Sequence, residues 1–454
     1  MLAELASLVR DGSLDPVDLV EEALRRIDAA SSLNAVTAVY ADEARAAARR
    51  HDRTGAVAGL PLLVKDMARV AGHVTTGGSR LYVDAAPDAV DDTVVGRLRA
   101  EGAIVIGRTN SPEFGATAYT ANDVFGATRN PWNEAMSPGG SSGGSAAALA
   151  AGLSPLATTS DGGGSVRGPA AMTGLVGFKP TMGAIGRNIL PRWISFSTQG
   201  ATGARTGDVL HEASVTLGAA RGDFLSVPRS GIALEPTMPR RVLACRTFRS
   251  DVDPDVEACF ESTISALEAS GVRVERVDAP TNNDTIWAWY VMSTAELTQS
   301  LRHEHERWDM TTDYVRGQLR FGSNVTVDEY IAAQRLRHDV SARFDDLLGH
   351  DAVLLVPTAN ARSWPAEGPL PSRAGSTDDP MVTLNTPDNN FTGHPAVSVP
   401  MGLDDNGVPC GMQITAPRFA DGLALGLAAH IERVQPWPST APGYDSFGSA
   451  FGLD

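Results

Sequence analysis

The chain has 454 residues, of which 43% are hydrophobic and 20% are charged, a composition typical of a folded globular protein with one large or two fused cores. Its formal net charge at pH 7 is −16, and its arginines are scattered among acidic residues, which argues against a nucleic-acid-binding protein because such proteins normally carry a basic stripe. The three cysteines form no Cys-Xaa-Xaa-Cys pair, which argues against a disulfide framework and a thiolate metal site.

Hydrophobic periodicity predicts helices and strands that alternate along most of the chain. The first 50 residues are predicted to be helical, because Asp15 forms an N-cap and Pro16 occupies the first helical position. Further helices are predicted at 93–100, 146–151, 209–217 and 256–270, and apolar strands at 60–64, 104–106, 156–159, 242–244, 272–277, 352–356 and 397–399. The alternation predicts an α/β protein with a central mixed sheet.

The pattern changes near residues 285–348, where long helical runs contain many of the aromatic side chains. We predict a helical insertion or lid over the sheet in this region. Residues 361–380 are rich in Pro, Gly, Ser and Asp and are predicted to form a surface loop.

No targeting segment or membrane span is predicted. The first eleven residues contain Glu4, Arg10 and Asp11 and no long apolar core, so they do not resemble a signal peptide. The apolar stretch 146–156 is too short and too rich in alanine and glycine to cross a bilayer. The histidines form no His-Glu-Xaa-Xaa-His pattern. We therefore expect a soluble, cytoplasmic protein without a metal or another cofactor, and without a membrane or nucleic-acid partner.

Lysine is rare in this chain: of 38 basic residues only Lys65 and Lys179 are lysines. Lysine can lose its proton when it is buried, whereas arginine cannot, so a retained lysine can serve chemistry that arginine cannot perform. Lys65 follows the apolar run 60–64, which predicts a buried strand that delivers an amine to an interior site. Biased codon usage would also explain the scarcity. For Lys179 we predict a structural role, because nothing near it resembles a second reacting group.

Two segments rich in glycine and serine, 137–145 and 159–169, are predicted to carry chemistry. Consecutive glycines allow several backbone N–H groups to point at one spot, as in an anion nest or an oxyanion hole. A phosphate-binding P-loop would need a lysine, and neither segment has one nearby. Residues 139–143 fit the Gly-Xaa-Ser-Xaa-Gly elbow, but 131–138 is poor strand material. Flexible turns are the remaining alternative.

Several blocks, in the right order, resemble the amidase signature family. The segment 137–145 resembles the family's Gly-Gly-Ser-Ser-Gly-Gly block, 161–181 resembles its longer signature, and 60–66 resembles its Gly-Ile-Pro-Val-Xaa-Val-Lys-Asp block with Leu60 for isoleucine. Further matching motifs are Thr109-Asn110, Glu113-Phe114, Asn130-Pro131-Trp132, 393–400, 407–413 and Asp421. The resemblance spans nearly the whole chain and weakens from about 280 to 380.

The resemblance implies one large domain over 1–454, with a central mixed sheet flanked by helices on both faces. Its expected parts are N-terminal helices at 1–60, a catalytic core at 61–220, a variable helical substrate region at 285–348, and the C-terminal part of the core at 381–433. It also implies a small-molecule substrate and a monomer or homodimer.

The resemblance further implies a Ser–Ser–Lys triad. Lys65 would be the general base, Ser141 the bridging serine after a cis peptide bond from Gly140, and Ser165 the nucleophile. The expected oxyanion hole consists of the backbone N–H groups of Gly162, Gly163 and Gly164 together with that of the nucleophile.

Other residues are given supporting roles. Ser142 is expected to brace the lysine or the cis turn, and Asp161 and Arg167 to set the glycine loop, with a surface charge pair as the alternative. The aromatic residues expected either to line a substrate pocket or to be ordinary core are Trp193, Phe196, Trp287, Trp289 and Tyr290.

The activity implied by the resemblance is hydrolysis of a C–N bond in an amide, anilide or carbamate (urethane) through an acyl- or carbamoyl-serine intermediate. One alternative is a glutamine-hydrolysing subunit of a tRNA-dependent amidotransferase. The other is an inactive binding protein of the same fold. The chain departs from the family pattern in an additional glycine at 162 and in the absence of a proline before Arg205. Neither departure alters the triad residues.

Overall fold

Two β-sheets form the centre of the structure, a computed structural model that describes residues 1–371 and 383–453. The strands, in chain order, are β1 (Val36–Val39), β2 (Pro61–Lys65), β3 (Ile104–Thr109), β4 (Ala121–Asn122), β5 (Gly126–Ala127), β6 (Leu156–Ala157), β7 (Thr159–Asp161), β8 (Val176–Lys179), β9 (Thr198–Gly203), β10 (Arg241–Ala244), β11 (Val274–Arg276), β12 (Ala352–Pro357), β13 (Ala396–Leu403) and β14 (Pro409–Thr415). One sheet has the order β1-β3-β2-β6 and the other the order β11-β10-β12-β14-β13-β8-β9-β7. Both sheets are mixed, since parallel and antiparallel pairs occur in each.

Helices surround the sheets. The α-helices are α1 (Leu2–Arg10), α2 (Pro16–Ala29), α3 (Ala41–Arg49), α4 (Thr93–Ala100), α5 (Gly143–Ala150), α6 (Arg167–Thr173), α7 (Thr206–Thr216), α8 (Pro254–Ala269), α9 (Asn283–Ser300), α10 (Asp313–Gly322), α11 (Val327–Leu348), α12 (Pro387–Thr392) and α13 (Asp421–Val434). Short 3₁₀ helices lie at Ser31–Leu33, Arg80–Tyr82, Glu113–Gly115, Arg229–Gly231, Arg302–Met310 and Phe447–Phe451. None of the described helices combines the length and apolar character needed to cross a bilayer.

The larger sheet is covered on both faces. All six residues of β12 are buried, and their side chains alternate between two apolar clusters because successive residues of a strand point to opposite faces. Leu354 and Val356 pack with α9, α10 and α11, whereas Val353 and Leu355 pack with α8 and α13. The predicted α/β class, with a central mixed sheet flanked by helices on both faces, is therefore confirmed.

The two sheets meet where β6 passes into β7. Leu156 and Ala157 of β6 pair with the middle of β2, and the chain then crosses through Thr158 into β7 at the edge of the larger sheet. The C-terminal end of β2 therefore lies beside the first residues of β7. This junction places Lys65, the last residue of β2, next to the second glycine-rich segment.

The region near 285–348 contains α9, α10 and α11, which pack against one another over one face of the larger sheet. Helix α11 begins with a capping box, in which the Thr326 hydroxyl accepts from the Glu329 N–H and the Glu329 carboxylate accepts from the Thr326 N–H.

One expectation differs from the structure, and another falls partly outside the described residues. The first 50 residues are not helical throughout, because β1 pairs with β3 and places Val36 opposite Thr109. The segment Val36-Thr37-Ala38-Val39 has three β-branched residues and gains a strand partner that local periodicity does not reveal. Of the predicted loop 361–380, residues 372–380 lie outside the described residues, as do 381–382 of the predicted C-terminal part of the core.

The packing of α8 against the sheet gives a stability prediction. Phe260 is fully buried in the cluster beneath α8, whereas the side chain of Phe224 is 83% exposed. We expect Phe260→Ala to lower the free energy of unfolding by about 3–5 kcal/mol, because it leaves a cavity in the core. The matched control Phe224→Ala should change it by less than about 0.5 kcal/mol. Chemical denaturation followed by tryptophan fluorescence measures both, and equal shifts for the two variants would contradict the assigned packing.

Candidate active site

Lys65 lies at the C-terminal end of β2 and is almost completely buried. Its backbone N–H donates to the Thr158 hydroxyl (2.9 Å), which fixes the end of the strand at the sheet junction. Its Nζ donates to the hydroxyls of Ser141 (2.8 Å), Ser142 (2.8 Å) and Ser160 (3.1 Å). The amine predicted from the apolar run is thus surrounded by three serine hydroxyls from two glycine-rich segments.

Burial controls the protonation of this amine. Removal from water lowers the pKa of Lys65 from 10.5 to about 7, and the negative charge of Asp161 opposes this shift. Within the described chain no carboxylate lies within 4 Å of Nζ, so the charged form gains no ion pair. Near neutral pH a substantial fraction of this lysine is therefore uncharged and able to accept a proton.

The first glycine-rich segment presents Ser141 and Ser142 just before α5. The Gly140–Ser141 peptide bond is cis. A side chain at Gly140 would bring its Cβ within 2.7 Å of the Thr117 carbonyl oxygen, so the turn requires glycine here. The Ser142 hydroxyl donates to the Ser160 carbonyl (3.2 Å), and the Ser142 N–H donates to the carbonyl of Ser165 (3.3 Å). The expected bracing residue Ser142 therefore joins the two glycine-rich segments.

The second glycine-rich segment is held between aromatic rings. A Cβ at Gly162 would lie 2.6 Å from the Trp193 ring, and one at Gly163 would lie 2.6 Å from the Trp289 ring. The Trp289 indole N–H donates to the Gly162 carbonyl (3.1 Å). Because the rings contact the backbone directly, the loop has no room for side chains.

The backbone N–H groups of this loop do not all point the same way. The N–H of Gly164 donates to the Asp161 carboxylate (2.7 Å), so it is not free to bind a substrate oxygen, contrary to the expectation that it belongs to the oxyanion hole. The carboxylate lies three residues earlier and folds back over the loop. In the described chain the N–H groups of Gly162, Gly163 and Ser165 have no protein acceptor, and they remain as candidate oxyanion donors.

Asp161 and Arg167 form an ion pair beneath the loop. Both side chains are fully buried, and the guanidinium Nε and Nη2 donate to the two carboxylate oxygens at 3.0 and 2.9 Å. Burial alone would raise the pKa of Asp161, but the charge and hydrogen bonds of Arg167 hold it well below its usual value. The alternative of a surface charge pair is therefore wrong. The other guanidinium N–H groups donate to the Thr386 carbonyl and to the side chains of Asn389, Asn390 and Gln413.

One cavity of about 840 Å³ contains the serines and the lysine. Lys65, Ser141, Ser160, Gly162 and Ser165 all line it. Other parts of its wall come from the segment 187–199 and from α9 and α11, which contribute Ala295, Glu296, Gln299, Ser300 and Tyr330. The catalytic residues predicted from the sequence thus share one space with the helical region.

The aromatic residues expected to line a pocket divide into three groups. Trp193 lines the cavity and meets Trp289 edge to face, with ring centroids 5.5 Å apart. Phe196 is core. Trp287 is 54% exposed and packs on Tyr290, outside this cavity.

Sequence reasoning missed two residues that hold the site. Ser160 lies inside the second segment, and the alternation of β7 turns its hydroxyl toward Lys65 while Thr159 and Asp161 point to the other face. Thr386 donates its hydroxyl to the Gly163 carbonyl (2.7 Å) from more than 200 residues away, and no local pattern identifies it. Within the described ranges, no three His, Cys, Asp or Glu side chains are grouped so that they could hold a metal ion.

Known proteins resemble this chain along its length. A family model described as Amidase matches residues 18–425. An acylamidase of Rhodococcus erythropolis is 32% identical over 97% of this chain and 96% of its own. A glutamyl-tRNA(Gln) amidotransferase subunit of Chromohalobacter salexigens is also 32% identical, over 98% of each chain. The solved structure of a bacterial aryl acylamidase of the amidase signature family has a TM-score of 0.88 and 29% identity, covering 96% of each chain.

The buried ion pair gives a second stability prediction. We expect Arg167→Met to lower the free energy of unfolding by about 3–5 kcal/mol, because it leaves the Asp161 carboxylate buried without its partner. Arg25→Met is the matched control, since Arg25 pairs with Glu22 but its side chain is 65% exposed, and its effect should stay below about 1 kcal/mol. Chemical denaturation of both variants tests this, and a shift of Arg167→Met no larger than that of the control would refute the scaffold role.

Proposed function

Because the chain belongs to the amidase signature family, whose members hydrolyse amides, we propose that it is a stand-alone hydrolase that cleaves the C–N bond of an amide, anilide or carbamate through a covalent intermediate on Ser165. The observation that carries the proposal is the buried Lys65 amine in contact with Ser141 and Ser142, on a cavity that Ser165 also lines.

The proposed base is the neutral form of Lys65. A neutral amine has two hydrogens and one lone pair, so it satisfies three hydroxyl neighbours by donating twice and accepting once, because serine hydroxyl hydrogens rotate freely. We assign the accepted hydrogen bond to Ser141. In this arrangement Lys65 takes the Ser141 proton while Ser141 takes the proton of Ser165.

The proposed acylation then proceeds at Ser165. Its Oγ forms a bond to the substrate carbonyl carbon, and the N–H groups of Gly162, Gly163 and Ser165 stabilise the negative oxygen; one such donor contributes roughly 2.7–4 kcal/mol. As the C–N bond breaks, Ser141 returns the proton to the departing nitrogen. Water, deprotonated through the same serine and lysine, attacks the acyl or carbamoyl group and frees Ser165. The amide N–H of Gly164 remains with Asp161 throughout.

The comparison with the acylamidase supports a stand-alone enzyme, since that likeness covers nearly all of both chains. The equal identity to an amidotransferase subunit supports a second candidate, a glutamine-hydrolysing subunit that works with partner proteins. The two candidates share the triad and differ in substrate and in the need for partners, so the chain alone can distinguish them.

We expect the purified chain alone to release 4-nitroaniline from 4-nitroacetanilide and to be labelled by a fluorophosphonate probe at Ser165. Ser165→Ala should abolish labelling and lower turnover by at least about 10³-fold, because no other hydroxyl replaces the nucleophile. Ser323→Ala, which alters an exposed serine after α10, is the control and should keep both the labelling and the turnover of wild type. Labelling that persists in Ser165→Ala would reassign the nucleophile, and glutaminase activity that requires added partners would favour the second candidate.

The pH profile tests the base. Below the pKa near 7, Lys65 is protonated and cannot accept a proton, so we expect kcat/KM to fall about tenfold for each pH unit below that value and to level off above it. Lys65→Met should lose most activity, and its residual rate should lack this acid limb.

Lys179→Met is a demanding control, because Lys179 is equally buried and burial also lowers its pKa to about 7. Its profile should keep the acid limb, since the Lys179 Nζ donates to the Pro180 carbonyl (2.8 Å) and does not line the cavity. If the acid limb disappears in Lys179→Met and persists in Lys65→Met, the titrating group is Lys179 and not Lys65, and the proposal is overturned.

A further inference from the structure

The cavity wall contains a positive charge that the proposed reaction does not use. Three arginines line the cavity in the described chain, and two of them are paired: Arg69 with Asp88 (3.4 Å) and Arg187 with Asp223 (3.3 Å). Arg192 is the only one of the three without a carboxylate within 4 Å. A partly buried guanidinium without a counter-charge is costly unless some group completes it.

Aromatic residues hold this guanidinium in place. Its central carbon lies 4.6 Å from the ring centroid of Phe114 and 5.5 Å from that of Tyr82, whose hydroxyl also interacts with it. The faces of these rings attract the cation, but they cannot accept its paired N–H groups as two carboxylate oxygens do. The rings thus fix the position of Arg192. They do not use its capacity to bind a carboxylate through two N–H groups.

The acidic groups around the cavity have partners or roles of their own. Glu113 accepts from the Thr312 N–H (2.7 Å) and hydroxyl (2.8 Å), and from the Ser79 hydroxyl. Glu296 accepts from the Ser195 N–H (3.1 Å) and the Tyr330 hydroxyl (2.8 Å).

Asp92, a third acid at the cavity, caps the N-terminus of α4. Burial raises the pKa of its carboxyl to about 6. None of these three acids lies within 4 Å of Arg192, so among the described residues no carboxylate is supplied for this guanidinium.

Arg192 lines the same cavity as Lys65, Ser141 and Ser165. Phe114, on which it stacks, precedes Gly115, and a Cβ at Gly115 would lie 3.1 Å from the Ser141 hydroxyl. On its other side Arg192 precedes Trp193, whose ring contacts the backbone of Gly162. Phe114 and Gly115 therefore lie between Arg192 and the bridging serine, and Trp193 lies between Arg192 and the candidate oxyanion loop.

We propose that Arg192 binds a carboxylate of the substrate, so that the enzyme prefers amides or carbamates that carry an anionic group a few bonds from the scissile C–N bond. This inference rests on the proposed function for the identity of the cleaved bond. The net charge of −16 disfavours anions in general, so the selectivity must come from the bidentate contact itself.

Matched pairs of substrates test the inference. Succinyl-, glutaryl- and adipoyl-4-nitroanilide are compared with their methyl esters, in which a neutral ester of similar shape replaces the carboxylate at the end of the acyl chain. 4-Acetamidobenzoate and its methyl ester make the same comparison on the leaving side. We expect at least one acid to have a higher kcat/KM than its ester, and Arg192→Met to lower that ratio by about 10- to 100-fold, as expected for loss of a hydrogen bond to a charged group.

Arg69→Met is the control, because it removes a positive charge from the same wall, but one already paired with Asp88. Its acid-to-ester ratio should stay within about threefold of wild type. Equal rates for acids and esters in every series, or a ratio that Arg192→Met leaves unchanged, would overturn the inference while the proposed function stands.

A binding measurement separates failure of the two proposals. Calorimetry on the Ser165→Ala variant measures binding without turnover. We expect the preferred acid to bind this variant more tightly than its ester does, and we expect the difference in affinity to vanish in the double variant Ser165→Ala/Arg192→Met. If no amide is cleaved but this preference holds, the proposed function fails and the anion site stands. If the acids bind no better than the esters, the anion site is refuted whatever the activity.

Discussion

The structure depends on one buried amine without a counter-charge. Lys65 extends from β2 into the protein interior, where three serine hydroxyls are its neighbours and no described carboxylate lies within 4 Å. Such a site disfavours the ammonium form, and burial therefore sets the base strength. The hydroxyls satisfy the amine in either protonation state, which a carboxylate partner would not allow.

A buried charge pair keeps the other half of the site in place. Asp161 binds Arg167 with its carboxylate and at the same time accepts from the N–H groups of Gly164 and Val166. One carboxylate thus fixes both the turn of the glycine loop and the start of α6. Residues of α12 and β14 complete the guanidinium contacts, so the loop is anchored to the core of the larger sheet. The negative charge of Asp161 opposes the lowering of the Lys65 pKa, but the burial of the amine outweighs it.

The sequence predicted the parts of the site that are local. The apolar run before Lys65, the glycine-rich segments and the alternation of helices and strands all reflect burial or backbone geometry within a few residues. Two features that it did not reveal depend on distant partners, since β1 needs β3 and the Gly163 carbonyl needs Thr386. A third is local but depends on the conformation of the loop, which brings the Asp161 carboxylate onto the Gly164 N–H. The charge balance around Arg192 likewise becomes visible only when the cavity wall is assembled.

The burial of both lysines has a consequence for the chemistry of the protein's exterior. Lys179 is fully buried and Lys65 faces only the cavity, so the outer surface of the folded chain offers no side-chain amine to amine-directed reagents. Amine-directed reagents too large to enter the cavity, such as long lysine-specific cross-linkers, should leave the side chains of the native fold unmodified. Immobilisation or dye attachment would have to use another functional group, and the appearance of a reactive side-chain amine would report unfolding.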